Sequence, residues 1–441
     1  MLIDKLKLFY ITLVFSTFGG GILFSAYNNK QPISEINPKN TTDDFKEKHP
    51  DETNFEILYN DYVEKHSQVV TELLNSTNGH DSLSLPKVVV VKPSMRTGYG
   101  NRFPILTCGF LYSLVTDRLF FIDGYQNFED YFKKDFNHDW ESVAKLYENS
   151  TAKYLYNGNG NNEFALITRG DLSSAEVNSS TILYVKSWDY ACAPLTSNPH
   201  YQEWFEQMIP DYKVFATISS KLLRLQENID EQAKNFVSSN FSDYNMGVHL
   251  RTKKSTKKMV IPVEHYCQAV RMILLGKKEN SVSIFVAADT NQGRDNLVDC
   301  LRHFLSRNNN SVKVVYVENN MNIKNPLTHN PGNEENALVD MKLLSWCDDL
   351  VITYGSSFGF VAAGWSDREV NRPRGPFVLM PITNSTQDLT AVDKVWVWGA
   401  SSNEPCMYLS KSLLRKGDAE TVKTFKNNPL WMHYSQCHWP V

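Results

Sequence analysis

At 441 residues the chain is long enough for two domains with accessory segments, and its 42% hydrophobic and 21% charged residues are those of a folded globular protein, which excludes a disordered chain. A formal net charge of −4 excludes a nucleic-acid binder held by overall charge. Seven cysteines with no CxxC pair and no cysteine–histidine spacing exclude a zinc site of the usual kind.

Residues 1–7 carry Lys5 and Lys7 and read as a cytoplasmic tail. Leu8 to Tyr27 is an uncharged run of 20 residues, the length of a membrane-crossing helix; Gly19 to Gly21 within it are tolerated in such helices. The rival is a cleaved signal peptide. A cut after Ala26 would set bulky Phe24 at the third position before the bond, where a small residue is wanted. The expectation is therefore a retained anchor over 8–27 and a luminal body. N-x-[ST] triplets at Asn40, Asn75, Asn149, Asn178, Asn240, Asn309 and Asn384 agree with a lumen. There some cysteines would pair, and their odd count leaves at least one unpaired within the chain. Cys108 and Cys347, inside expected elements, read equally well as buried thiols. Cys406 and Cys437, in a loop-rich stretch, are expected to pair.

Residues 28–82 are polar and read as a stem with one helical segment near Phe55–Leu74, too poor in apolar residues for a core of its own. From residue 83 the pattern changes. Apolar runs at Val88–Val91, Leu119–Asp123, Ile182–Val185, Met246–Leu250, Ser283–Asp289, Val312–Val317, Leu350–Tyr354 and Phe377–Met380 alternate with helical patterns. Such runs indicate parallel strands covered on both faces. The expected fold class is α/β: two facing Rossmann-like doubly wound domains, 83–240 and 241–441, divided where "SSNFSDYN" interrupts the pattern. In such sheets ligands bind at the C-terminal ends of strands.

The polar motifs do follow strands. After Val88–Val91 comes "GYGNR", then a helical pattern; the glycines permit close approach and the helix start offers free N–H groups to an anion. A plain strand-to-helix turn explains the stretch as well, since it is neither a Walker loop nor GxGxxG. His249 and Arg251 end the next such strand on one face, and Arg251 can fork onto a diphosphate or make a surface ion pair. Lys253, Lys254, Lys257 and Lys258 beyond it are a solvated loop or added positive charge. Asp289-Thr290 ends a third strand, where Asp289 can accept from a ribose or base, or cap the next helix. "DLVITYGSSFGFVAAGW" stops a strand at Ser356-Ser357, whose hydroxyls and the amides near Phe358 can hold phosphate oxygens. No D-x-D triplet occurs, which disfavours a manganese-dependent single-domain sugar transferase and favours a two-domain, metal-independent one.

In order and wording these segments resemble the plant-type xyloglucan α-1,2-fucosyltransferase family, within the wider fucosyltransferase superfamily, from about residue 88 to 406. "GYGNRFPILTCGFLYSLVTDRLFFID", "GVHLR", "NALVDMKLLSWCDDLVITYGSSFGFVAAG" and the tag Glu404-Pro405-Cys406 carry the resemblance. It implies a single-pass type II Golgi membrane enzyme of the two-domain GT-B type. That enzyme takes GDP-fucose, inverts the anomeric centre and needs no metal. Its acceptor is a galactose-containing oligo- or polysaccharide. The resemblance puts Arg251 and His249 on the donor diphosphate side, Ser356, Ser357 and Phe358 around GDP, and Asp289 or Thr290 near the nucleoside. Gly98, Asn101 and Arg102 would face the cleft from the N-terminal domain. Gly355 and Tyr99 depart from the family pattern, and residues 124–235 match poorly, which leaves the acceptor open.

Transfer also wants a proton acceptor for the attacking hydroxyl. Asp189, after Ile182–Val185, is the first candidate and Asp123 the second, each equally readable as a turn aspartate. Two other readings stay open. One is a protein O-fucosyltransferase. The other is a luminal glycan-binding scaffold of the same fold, with Trp188, Trp204 and Trp365 as its sugar-binding aromatics.

Overall fold

The computed structural model describes residues 53–75, 85–156, 161–186, 190–252, 261–305, 311–318, 331–365, 375–382, 394–405, 414 and 417–436. The expected tail, the anchor over 8–27, Trp188, Asp189, Lys253 to Lys258 and the Cys406–Cys437 pair lie outside the described residues. Among the described residues no helix is long and apolar enough to cross a membrane.

The first sheet is built from β1 (Val88–Val91), β2 (Leu119–Ile122), β3 (Ala152–Tyr156) and β4 (Ile182–Val185), parallel and in the order β2-β1-β4-β3. All four valines of β1 are buried, as its unbroken apolar run requires. The second sheet holds β5 (Tyr244–Leu250), β6 (Ser281–Ala288), β7 (Ser311–Val315), β8 (Asp349–Thr353), β9 (Phe377–Ile382) and β10 (Lys394–Gly399) in the order β10-β9-β8-β5-β6-β7. It is parallel except for β10, which runs antiparallel to β9. All first-sheet strands fall within residues 88–185 and all second-sheet strands within 244–399. β3 and β10 are not among the expected strands. Both end their sheets, where one side lacks a neighbour and the sequence mixes polar with apolar residues.

The helices used below are α1 (Asn54–Asn75), α2 (Tyr99–Val115), α3 (Val214–Leu222), α4 (Glu227–Asn240), α5 (Val263–Leu274), α6 (Asn291–Leu305), α7 (Pro331–Ser345) and α8 (Ser357–Gly364). α1 corrects the stem expectation. It has no core of its own because it lends its apolar face to the first sheet's core: Phe55, Ile57, Tyr59, Tyr62 and Val70 are buried. Tyr62 donates to the Arg118 carbonyl (3.1 Å), accepts from the Phe120 amide (2.7 Å) and stands edge-on to Phe110. The helical segment is part of the folded body.

α2 is buried nearly all round, because the sheet lies on one side of it and α3 and α8 on others. Glu404, of the expected family tag, joins the two halves from the buried interior. It accepts from Tyr190 Oη and from the Phe215 amide (3.0 Å) at the start of α3. Cys108 of α2 is bonded to Cys192, and Cys267 of α5 to Cys300 of α6, while Cys347 is buried and stands outside the disulfides among the described residues. Of the two cysteines left open between thiol and disulfide, Cys108 is therefore the disulfide-bonded one. With partners separated by 84 and 33 positions in sequence, each bond removes chain entropy from the unfolded state worth about 4 kcal/mol.

Candidate active site

The site begins at three neighbouring strand ends of the second sheet. β5 lies between β6 and β8, so Arg251, Asp289 and the turn after Thr353 emerge side by side. Thr353 fixes their registry. Its Oγ1 accepts from the Arg251 amide (3.0 Å) and donates to the His249 carbonyl (3.0 Å). With that proton committed, Tyr266 Oη must donate to Thr353 Oγ1 at 2.6 Å.

Asp289 braces the arginine loop. Its Oδ2 lies 3.3 Å from Arg251 Nη1, and its Oδ1 accepts from the Thr252 amide and hydroxyl, both at 2.7 Å. The cap of α6 is made by the next residue: Thr290 Oγ1 accepts from the Gly293 amide at 3.2 Å. The structure thus gives Thr290 the capping role that the sequence offers to Asp289. Arg251 keeps its side chain 45% exposed beyond this brace.

The third strand end answers to glycine chemistry. Gly355 has φ +70°, a left-handed conformation that a side chain would strain, and this reverses the chain between β8 and α8. Ser356 then occupies the N-cap position without a side-chain capping bond. The first-turn amides of α8 have no partners within the helix and carry its positive dipole end. Phe358 lies over the His249 ring, centroids 5.1 Å apart and nearly parallel. His249 is buried, its Nδ1 has no hydrogen-bond partner, and burial pushes it down to about 4. It is a neutral group at pH 7, so the positive charge here belongs to Arg251 and the helix end.

From the first half, the start of α2 reaches α8. A Cβ on Gly100 would meet the Phe358 nitrogen at 2.6 Å and Ser357 Oγ at 2.7 Å. Only a glycine lets the two helix starts approach so closely. Gly98 is the N-cap of α2 and has open space where a Cβ would stand; its carbonyl accepts from the Asn101 and Arg102 amides. Asn101 is half-buried beside it. Arg102 is a correction to the expected cleft-facing cation. It is only 5% exposed and turns inward, donating to the Thr97 and Met95 carbonyls (2.7 and 3.2 Å) and pairing with Glu334 of α7 at 3.4 Å.

Sequence reasoning passed over Thr353, Tyr266, Glu334, Asn291 and Asp340. Asp340 was the most visible, an acid in the middle of the apolar "NALVDMKLLSW". It is buried, and burial pushes its carboxyl up to about 8 against the pull of Arg294. Arg294 covers the Tyr316 ring at 4.5 Å, and Asn291 Oδ1 nearby on α6 is buried without a partner.

Of the aromatics offered for a sugar-binding scaffold, Trp365 is buried edge-on to Phe103 and has Lys342 Nζ 4.9 Å from its ring. Trp204 packs edge-on to Phe205. Both serve the core. Asp123 is held by Lys92, Nζ to Oδ2 at 2.5 Å.

No protein-family profile and no curated protein matches the chain. Among solved structures it is similar to Arabidopsis thaliana FUT1, as an arginine-to-lysine mutant in complex with GDP. The identity is 18%, the match covers 85% of this chain and 90% of that one, and the TM-score is 0.60. A match to the fucosyltransferase NodZ from Bradyrhizobium covers 72% of this chain and 99% of that one at 14% identity and TM-score 0.46. The chain therefore has the two-sheet α/β fold of Arabidopsis FUT1, the kind of fold that the motif resemblance implies.

Proposed function

We propose that the chain is an inverting, metal-independent fucosyltransferase that moves fucose from GDP-fucose to a hydroxyl of a glycan, O2 of galactose. The observation that carries this reading is the contact of two helix starts at Gly100 and Ser357–Phe358, beside Arg251 on the neighbouring strand. Two positive dipole ends and one braced arginine suit a diphosphate.

As the bond to fucose breaks, negative charge grows on the β-phosphate oxygens. Arg251 and the first-turn amides of α8 hold it, and fixed donors of this kind are worth about two to three orders of magnitude in rate. Phe358, stacked on His249, fills the wall beside them. Asp189 is assigned as proton acceptor for the incoming hydroxyl, on its place after β4.

The fold of Arabidopsis FUT1 supports this reading, and that protein was solved with GDP. The uncharged run over 8–27 supports a type II Golgi membrane protein with a luminal body. Titrating the purified protein with GDP and GDP-fucose in the absence of divalent metal tests the donor site. Micromolar binding with release of GDP in the presence of galactosides is expected. No binding of either nucleotide would favour the glycan-binding scaffold.

A further inference from the structure

A second constellation stands at the C-terminal edge of the first sheet. Strand register sets Val90 opposite Phe121 on one side and Tyr184 on the other, and Tyr184 opposite Tyr154. These four side chains share one face. Lys92 and Asp123, two residues beyond Val90 and Phe121, fall on the same face just past the strand ends. Their amides stay in strand register, Lys92 donating to the Val185 carbonyl (2.9 Å) and Asp123 to the Val91 carbonyl (2.8 Å).

Lower on this face the core is closed by Val88, Leu119, Trp140, Tyr147 and Ile182. At the upper, outer corner it opens. Tyr184 is half-buried and Tyr154 is 47% exposed, their rings 5.5 Å apart and tilted by 35°. Lys92 Nζ stands 5.8 Å over the Tyr184 ring and holds Asp123 at 2.5 Å.

Edge strands are usually blunted by charge, and β3 does this on its other face, where Lys153 pairs with Glu176. On this face the sheet edge presents two rings instead, Tyr154 of β3 and Tyr184 of β4, toward the strand ends where open parallel sheets bind ligands. An aromatic surface with an ammonium donor and a carboxylate acceptor at its rim is the chemistry that recognises a pyranose. The sugar's C–H face lies on a ring, and neighbouring hydroxyls donate to the carboxylate and accept from the ammonium.

We propose that Tyr184 and Tyr154 form a stacking platform for a sugar ring of the acceptor, with Lys92 and Asp123 bonding its hydroxyls. The inference rests on the glycosyltransferase reading and deepens it: the acceptor is an oligo- or polysaccharide, not a peptide. It gives Asp123 a binding role in place of a catalytic one.

The test uses the purified full-length chain, with GDP titrated as a separate control. Lactose, N-acetyllactosamine and a galactosylated xyloglucan oligosaccharide are titrated without nucleotide, into wild type and into Tyr154→Ala, Tyr184→Ala, Tyr184→Phe and Asp123→Asn. At least one glycan binds wild type. Tyr154→Ala and Tyr184→Ala weaken it about tenfold, the size expected for one aromatic anchor, and Asp123→Asn several-fold. Tyr184→Phe keeps the ring and stays within about twofold of wild type. GDP affinity is the same in all variants. Tyr154 lies on the surface, so its truncation leaves the fold intact even where that of Tyr184 does not. Wild type that binds none of the glycans, or Tyr154→Ala that binds as wild type does, overturns the platform and leaves the donor site standing. Wild type that binds glycan through the platform but no GDP overturns the donor reading instead.

Discussion

Glu334 of α7 and Arg102 of α2 form an ion pair across the two halves of the molecule, Oε1 to Nη2 at 3.4 Å. Arg102 is also flanked by the rings of Tyr99 and Tyr125, 5.3 and 5.4 Å away, and Tyr99 Oη donates to Glu334 at 3.2 Å. A cation this buried depends on its partners. Glu334→Ala is expected to cost about 1–3 kcal/mol of stability, and Arg102→Ala more, since the Thr97 and Met95 carbonyls then lose their donor as well. Denaturant unfolding of both variants measures this; a Glu334→Ala midpoint equal to wild type would show that the pair contributes nothing.

The contact of Gly100 with Phe358 makes a sharper prediction about neighbouring glycines. Gly100→Ala drives a methyl into a backbone nitrogen at 2.6 Å, which α8 can relieve only by moving away. Loss of at least tenfold in GDP affinity is expected, with about 1–3 kcal/mol of stability. Gly98→Ala meets open space at φ −76° and should be nearly neutral in both measurements. Equal effects of the two substitutions would refute the helix-to-helix approach as the determinant.

Arg251 is exposed and held at one nitrogen by Asp289, so its removal should spare the fold. Arg251→Ala and Arg251→Lys are expected to keep their thermal midpoints and lose about a hundredfold or more in transfer rate, because lysine retains the charge but not the fork. Asp289→Asn, which loosens the brace, should cost about tenfold. Ser356→Ala should cost about tenfold or less, since the amides of α8 and Ser357 remain. Transfer assays beside calorimetry with GDP read both effects. An Arg251→Ala enzyme with wild-type turnover would remove the arginine from the mechanism.

Buried titratable groups predict how stability varies with pH. Burial lowers His66, His138, His249 and His433 to about 4, so the folded chain binds fewer protons than the unfolded one between about 4 and 6.5, and stability rises with pH there. Burial raises Asp340 and Glu404 to about 8, so the folded chain binds more protons from their ordinary range up to about 8, and stability falls with rising pH. Below 6.5 four histidines outweigh two carboxyls; above it only the carboxyls act. A maximum near pH 6.5 is expected, and Asp340→Asn with Glu404→Gln should flatten the alkaline limb. Denaturation midpoints between pH 4.5 and 8.5 check this, and stability still climbing from 6.5 to 8 would contradict it.

What the sequence determined by itself is the local grammar. Unbroken apolar runs such as "VVVV" must be buried on both faces, so they announced most strands of both sheets, and "GSSFG" announced a turn into a helix start. The strand ends that carry His249, Arg251, Asp289 and Ser356 followed from those runs, because a residue's distance along a strand is fixed by covalent geometry. Tertiary structure alone decided who meets whom. Nothing in periodicity says that the apolar stripe of α1 packs on the first sheet, that Gly100 rather than Gly98 touches α8, or that Arg102 turns inward to Glu334. Nor does it say that Asp123 is taken by Lys92 beside two tyrosines from strands some thirty residues apart in the chain. These are contacts between segments distant in sequence. Each depends on how the sheets and helices close around one another, and no residue carries that information alone.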